Sequence, residues 1–238
     1  MTTYLLCHGA WSGGWMWRRV AKILRDVGHD VFTPTYTGLG ERVHLLTPEV
    51  GLHTHIQDIR NVIHYERLDD FVLVGHSYGG MVVTGVADKE WNKISRLVYL
   101  DAFLPEDGQS TDSMAGPDRR RLTREAAKTH GEGWKVPRPE GSISPTLPEE
   151  DQRLIAENSV FQPLKCGTEA VSLENNHLKI SEKAYVLCTE NHGSPFHAFA
   201  RKLKGQDDWQ LFELPTHHHP MLSMPQETAD AVTGKRSP

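Results

Sequence analysis

The segment Phe71-Val72-Leu73-Val74-Gly75-His76-Ser77-Tyr78-Gly79-Gly80 constrains this chain more than any other. Four apolar residues run directly into Gly-x-Ser-x-Gly, and residues 81–87 continue as an apolar, helix-compatible stretch. A strand that turns at once into a helix brings neighbouring backbones too close for side chains. Small residues are needed two positions either side of the turn residue, and Gly75 and Gly79 supply them. Ser77 is then held out at the carboxyl end of the strand, where open α/β sheets present their ligands. A serine so displayed is a candidate nucleophile, and the backbone N–H of the next residue, Tyr78, is a candidate oxyanion donor. The pattern Gly-x-Gly-x-x-Gly, which marks a dinucleotide site in the same topology, is absent from this segment.

The rest of the chain keeps the same rhythm. Residues 4–7 read as a buried strand ending at His8-Gly9, and residues 15–27 as a helix carrying Val20, Ile23, Leu24 and Val27, with Gly28 as its stop. A second strand over 30–33 is cut off by Pro34, and a helix over 55–66 places Ile56, Ile59 and Ile63 on one side. Further strands are predicted over 96–100, 184–188 and 209–214. This βαβα order predicts a mostly parallel central sheet with helices on both faces. The rhythm breaks between Pro105 and Pro163, a stretch that holds seven of the 14 prolines. Two charged helical pieces are predicted there, over 118–130 and 149–157. The second has Pro148 at its start and acids in its first turn, both favourable at a helix N-terminus. Inserted after the strand that follows the nucleophile's strand, this stretch reads as a cap of approximately residues 105–180 on a single domain spanning 1–238.

Composition narrows the partners. With 38% hydrophobic and 24% charged residues, the 238-residue chain has the balance of a folded globular protein rather than a disordered one. Lys plus Arg number 26 against 31 Asp plus Glu, so the basic surplus that marks a nucleic-acid partner is missing. No apolar run approaches the roughly 18 residues of a membrane span. The opening residues lack the basic stretch and long apolar core of a signal peptide. Cys7, Cys166 and Cys188 are an odd set without Cys-x-x-Cys spacing, which predicts a reducing, cytoplasmic setting and no disulfide framework. Neither a metal nor a cofactor is called for.

A serine hydroxyl is a weak nucleophile at neutral pH and needs a base, for which histidine has a suitable pKa. Fourteen histidines compete. Three of them, His217, His218 and His219, stand together in the loop beyond the last predicted strand. Consecutive histidines point in different directions, and no cysteine or acid stands at metal-ligand spacing beside them, so the cluster reads as a source of a base rather than a metal site. The residues alone do not choose among the three.

Five stretches then carry a wider resemblance: LLCHGAWSGGWMW from residue 5, TPTYTGLGER from 33, VLVGHSYGGMVV from 72, VYLDAFLPEDGQS from 98 and HPMLSMPQE from 219. Through them the chain resembles the α/β-hydrolase superfamily, and within it the small bacterial serine esterases related to plant methylesterases and hydroxynitrile lyases. The resemblance implies the α/β-hydrolase fold, with nucleophile, acid and histidine in that chain order. It places the base three residues before the Met221-Leu222 pair, at His218, and leaves His217 and His219 as loop residues near the site. It places the second oxyanion donor after the first strand, at Ala10. The activity implied is a carboxylesterase that cleaves a small to medium apolar ester through an acyl-enzyme on Ser77. Phe103, Met114, Trp134 and Phe161 are candidate pocket-lining residues.

The acid is where the chain departs from its plant relatives, which keep an aspartate after the next-to-last strand. Asn191 stands at that place here and carries no charge. Two carboxylates remain: Glu190 beside it, and Asp101 at the end of strand 96–100, a position some dehalogenases of the superfamily use. A carboxylate between Tyr99-Leu100 and Ala102-Phe103 is costly to bury without a partner. His218 would be such a partner, so Asp101 is the expected acid and Glu190 the substitute. Two other functions share the fold. Hydroxynitrile lyase chemistry in the resembling proteins depends on a threonine beside the oxyanion loop and a lysine after the histidine, where this chain has Gly9 and His219. A non-catalytic small-molecule receptor would have no need of both Ser77 and His218.

Overall fold

The computed structural model describes residues 1–235, so the last three residues of the expected 1–238 domain lie outside the described residues. The predicted strands form one six-stranded, wholly parallel sheet of order β2-β1-β3-β4-β7-β8. Its members are β1 (Thr3–Cys7), β2 (Asp30–Phe32), β3 (Phe71–His76), β4 (Ile94–Leu100), β7 (Glu182–Cys188) and β8 (Trp209–Leu214). The two remaining strands, β5 (Lys135–Val136) and β6 (Gln162–Pro163), pair as a short antiparallel ribbon. The helices are α1 (Arg18–Asp26), α2 (Leu52–Tyr65), α3 (Gly79–Glu90), α4 (Thr111–Met114), α5 (Pro117–His130), α6 (Glu149–Asn158), α7 (Lys165–Thr168), α8 (Phe196–Leu203), α9 (Pro220–Ser223) and α10 (Pro225–Thr233). Elements α4 to α7 and the ribbon all fall between β4 and β7.

The period of two along each strand sorts the core into two layers. Leu5, Leu73 and Leu97 stand in register on one face and pack with α2, α3 and α8. Leu6, Val74, Val98 and Ala184 stand in register on the other and pack with α1 and α10. Both faces are covered, which is why the strands read as continuous apolar runs. Chain progression reverses between β1 and β3: β2 lies to one side of β1, while β3, β4, β7 and β8 follow on the other. That reversal opens a crevice at the carboxyl ends of β1 and β3, where His8-Gly9-Ala10 and Ser77 emerge.

Local chemistry sets the boundaries. Helix α1 ends where Gly28 takes φ +88°, with Gly28 N–H bonded to Arg25 O and His29 N–H to Leu24 O, a two-bond helix stop that a side chain would strain. The helix predicted from residue 15 begins as a 3-10 turn over Gly14–Trp17 and becomes α-helical only at Arg18. The reason is close packing: Gly14 donates to Thr35 Oγ1 at 2.8 Å, and a side chain there would collide with the Thr33 carbonyl. Helix α3 runs further at both ends than the predicted 81–87, because two glycines mask its apolar start. It is buried from Gly79 to Asp88, and Gly85 lets Ile56 of α2 lie against its backbone.

Beneath the crevice lies a wholly buried polar cluster. His8 Nδ1–H donates to Gly9 O at 2.7 Å, and its Nε2 accepts the Tyr36 N–H at 3.2 Å. His55 Nε2–H donates to Thr37 O at 3.0 Å, while its Nδ1 accepts the Tyr78 hydroxyl at 3.0 Å. The Tyr36 ring stacks on His55 at 4.8 Å. Burial pushes His8 down to about 4 and His55 down to about 3, only partly offset by their carbonyl partners. Both rings are therefore neutral when folded and take up protons near pH 6.5 when unfolded. The unfolded chain binds more protons below that point, so each contribution is complete above pH 6.5 and lost as pH falls toward 4 and 3, by about 1.4 kcal/mol per pH unit per ring. The urea midpoint is expected to be lower at pH 5 than at pH 7.5, and His55→Gln, which keeps a donor and an acceptor, should flatten that dependence. An unchanged slope in the variant would show that His55 is not one of the groups responsible.

Candidate active site

Ser77 occupies the turn between β3 and α3 with φ +55°, a left-handed conformation that costs a non-glycine residue about 1–3 kcal/mol. The surroundings hold it there. Ser77 N–H donates to Leu100 O at 3.2 Å, and Ser77 O accepts from Gly80 N–H at 3.0 Å and Phe103 N–H at 3.1 Å. A Cβ on Gly75 would stand 2.7 Å from Gly79 O, and one on Gly79 would stand 2.8 Å from His8 O. The two glycines of the motif are thus required by backbone contact.

The Ser77 hydroxyl lies 2.8 Å from His218 Nε2, and His218 Nδ1 lies 2.6 Å from Asp101 Oδ2. The bond to the carboxylate fixes the proton on Nδ1 and leaves Nε2 as an acceptor for the serine proton. Three chain segments converge to make this line: the β3 elbow, the end of β4 and the loop after β8. Asp101 is 0% exposed, and its φ of +42° turns it out of β4 toward the histidine. Its buried charge is met by three donors. Besides His218, Asn191 Nδ2–H donates to Oδ2 at 2.6 Å and Cys188 N–H to Oδ1 at 3.2 Å. Burial, and then this carboxylate, push the neighbouring Cys188 thiol well up, so it stays protonated.

Glu190 points elsewhere. It is half-exposed and faces His217 Nε2 at 3.6 Å, on the outer side of the loop. His219 is buried, and burial first, then His218, lower its pKa well below the usual value. The structure therefore separates the three adjacent histidines: one on the serine, one on a surface carboxylate, one packed inside.

The neighbours of His218 were not identified from the sequence. His76 Nε2–H donates to the main-chain oxygen of His218 at 2.7 Å, and the Phe196 ring stacks on the His218 imidazole at 5.3 Å. Phe103 packs edge-on against Phe196 at 5.2 Å, one ring removed from the histidine. Burial and the adjacent His218 hold His76 well below the ordinary histidine range, so it is neutral and adds no competing charge. The only trace of this in sequence is that His76 sits inside the motif. Asn191, read from sequence only as a lost charge, is a donor to Asp101 and lies 3.3 Å from His218 Nδ1. Of the other apolar candidates, Met114 packs at the edge of the core, and Trp134 and Phe161 flank Lys135 Nζ at 5.0 and 5.3 Å.

On the other side of Ser77, the Gly9 carbonyl is held by His8, which leaves the Ala10 N–H on the opposite edge of the same planar peptide. Neither the Ala10 nor the Tyr78 N–H donates to any group among the described residues. Position 9 has no free room: a Cβ there would stand 3.0 Å from His76 Nδ1 and 3.1 Å from Ser77 Cβ. A threonine there, which lyase chemistry would require, would press on both His76 and Ser77. Among the described residues no three His, Cys, Asp or Glu side chains gather to hold a metal ion, and no helix is long and apolar enough to cross a membrane.

A base bonded to a serine, a buried carboxylate behind the base and two unengaged amides beside the serine together form an arrangement able to perform acyl transfer. Comparison with known proteins agrees with it. The chain is 39% identical over 242 residues to a carbendazim hydrolyzing esterase of a Nocardioides species, covering 98% of each chain. An extracellular α/β-hydrolase from a Paenibacillus species superposes with a TM-score of 0.87 at 24% identity over 100% of both chains. A pyrethroid hydrolase from Sphingobium faniae superposes at 0.75 with 22% identity, over 98% of this chain and 96% of that one. The alpha/beta hydrolase family profile matches residues 4–231, and the chain belongs to that family.

Proposed function

We propose that this protein is a carboxylic ester hydrolase that works through an acyl-enzyme on Ser77, with His218 as general base and acid, Asp101 as its orienting carboxylate, and the Ala10 and Tyr78 amides as the oxyanion hole. The observation that carries this reading is the unbroken line Ser77–His218–Asp101, at 2.8 and 2.6 Å, beside two amides that donate to no group among the described residues. Ser77 Oγ attacks the ester carbonyl carbon as its proton passes to His218 Nε2. The carbonyl oxygen, now an oxyanion, receives the Ala10 and Tyr78 N–H groups. Collapse of the tetrahedral species breaks the bond to the alkoxy group, which leaves with the proton from His218. Water, deprotonated by the same nitrogen, then releases the acid and restores Ser77. Asp101 does not take the proton. It holds the tautomer and stabilises the imidazolium that forms at each step.

Residues 105–180 are the cap of a single domain in this reading, and the substrate is an ester of small to medium size with apolar character. The Phe196 ring stacked on His218, with Phe103 edge-on behind it, supports an apolar acyl or alcohol group at that side. The names of two relatives, one for carbendazim and one for pyrethroids, favour a panel that includes both compounds beside p-nitrophenyl esters of rising chain length. Cys7, Cys166 and Cys188 are free and buried, which supports a reducing, cytoplasmic setting.

Ser77→Ala is expected to lower kcat for every ester in the panel by about 10³ or more with little change in Tm. A fluorophosphonate should attach to Ser77 in the parent, and mass spectrometry finding the label on another serine would overturn the assignment.

The acid is tested by isosteric exchange. Asp101→Asn should cost about 10⁴ in kcat because the amide supports the wrong tautomer, while Glu190→Gln, altering only a surface contact to His217, should leave kcat within about twofold. Collapse in the second variant with survival in the first would transfer the role to Glu190. By the same geometry His218→Ala should abolish turnover, and His217→Ala should retain most of it.

A further inference from the structure

The loop that carries Ala10 is fastened to the cap at one residue, Trp11. Its main-chain N–H donates to Gln162 Oε1 at 3.1 Å, its indole Nε1–H donates to Val136 O at 3.0 Å, and its carbonyl accepts the Val160 N–H at 3.2 Å. Val136 and Gln162 are the cross-strand partners of the β5–β6 ribbon, so both strands of the ribbon close on the same residue. The Arg138 guanidinium lies over the indole ring at 5.7 Å. All the hydrogen-bonding groups of Trp11 are therefore satisfied by the cap and none by the sheet or its helices.

Trp11 also has φ +58°, a left-handed conformation that a bulky residue keeps only when its surroundings impose it. It directly follows Ala10, and the Gly9 carbonyl on the other side of Ala10 is held by His8. The oxyanion amide is thus suspended between two fixed points, one in the core and one in the cap. Released from the ribbon, Trp11 would relax to negative φ and swing the adjoining Ala10–Trp11 peptide, taking Ala10 with it.

We propose that Trp11 and Gln162 are positioning residues that couple the seating of the cap to formation of the oxyanion hole: with the β5–β6 ribbon on Trp11, the Ala10 N–H is aimed for catalysis, and with the ribbon lifted it is not. The inference rests on the esterase reading and adds a structural condition to it. Neither residue has a hydrogen bond to Ser77, His218 or Asp101, so their effect is transmitted wholly through the loop. Gln162 is buried, and it is its side-chain oxygen that meets Trp11. Glutamate keeps that acceptor; methionine has the same length and lacks it.

The experiment compares the parent with Gln162→Met and Gln162→Glu on one p-nitrophenyl ester, together with the binding of a trifluoromethyl ketone that forms a tetrahedral adduct with serine. Loss of an oxyanion donor costs about 10²–10³ in kcat, and a misaimed donor costs part of that. Gln162→Met is expected to lower kcat about 10- to 100-fold with KM changed less than about threefold, and to weaken the ketone by the same factor as kcat/KM. Gln162→Glu, which keeps the acceptor, should stay several-fold closer to the parent than Gln162→Met in all three quantities. A purely structural role for Gln162 would lower Tm and the fraction of enzyme labelled by exhaustive fluorophosphonate, while leaving kcat per labelled site and ketone affinity unchanged; that result overturns the coupling. Should Gln162→Met fail to fold, Trp11→Phe, which removes the indole donor to Val136 together with part of the ring under Arg138, decides by the same comparison of kcat per labelled site with ketone affinity. A parent without ester turnover and without label on Ser77 would remove the esterase reading itself, whereas an active parent with an equally active Gln162→Met removes only the coupling.

Discussion

A carboxylate with no contact to water, Asp101, organises the carboxyl edge of this sheet. An ionised group so placed persists only if hydrogen-bond donors surround it. The three that do so come from different parts of the chain: the Cys188 N–H at the end of β7, the Asn191 amide in the turn beyond it, and the His218 ring in the loop after β8. Each bond draws its segment toward the end of β4. The convergence that brings His218 over Ser77 is in this sense a consequence of solvating one buried charge with protein groups. It also explains why Asn191 can stand where the plant relatives have an acid: with the carboxylate on β4, a neutral donor at that turn completes its shell, and a second carboxylate would repel it.

The second constraint is steric. At the β3–α3 elbow the backbones of three segments touch, with His8 O against Gly79 and Phe103 O against Gly80. No side chain fits between them, and this closeness brings the loop after β1 within reach of Ser77. His8 then does two things from one ring: it fills the buried polar cluster with Tyr36 and fixes the Gly9 carbonyl, which decides the direction of the Ala10 amide. Its low pKa follows from that position and keeps both roles intact near neutral pH. Stability in the core and readiness of the site share the same neutral histidines.

Much of this was legible in the sequence because it is local. The parallel sheet follows from runs such as 71–74, whose side chains are apolar on both faces, and the elbow from glycines two residues either side of Ser77. The stop at Gly28 needs only one left-handed residue. Boundaries were less legible where long-range contact sets them, as at the 3-10 turn of Gly14–Trp17, packed under the Thr33 carbonyl. In the site, Ser77 and Tyr78 follow from the motif, while His218 needed a family pattern because three adjacent histidines are equivalent in sequence. Phe196 and Gln162 left no periodic or motif signal, and His76 left only its place inside the motif.

The sequence by itself determined the βαβ order, the elbow and the chemistry available at it, since these depend on the spacing of apolar residues and glycines along a few neighbouring positions. Only the tertiary structure decided which histidine meets the serine and where Asn191, Glu190 and Asp101 point. It also decided what holds the loop after β1 in its left-handed bend at Trp11. Those outcomes rest on contacts between residues distant in the chain, such as Asp101 with His218 and Trp11 with Gln162, and on the direction in which the backbone leaves each strand. A side chain's partner across such a separation is fixed by how the sheet packs with the elements between β4 and β7, and no short stretch of sequence encodes it.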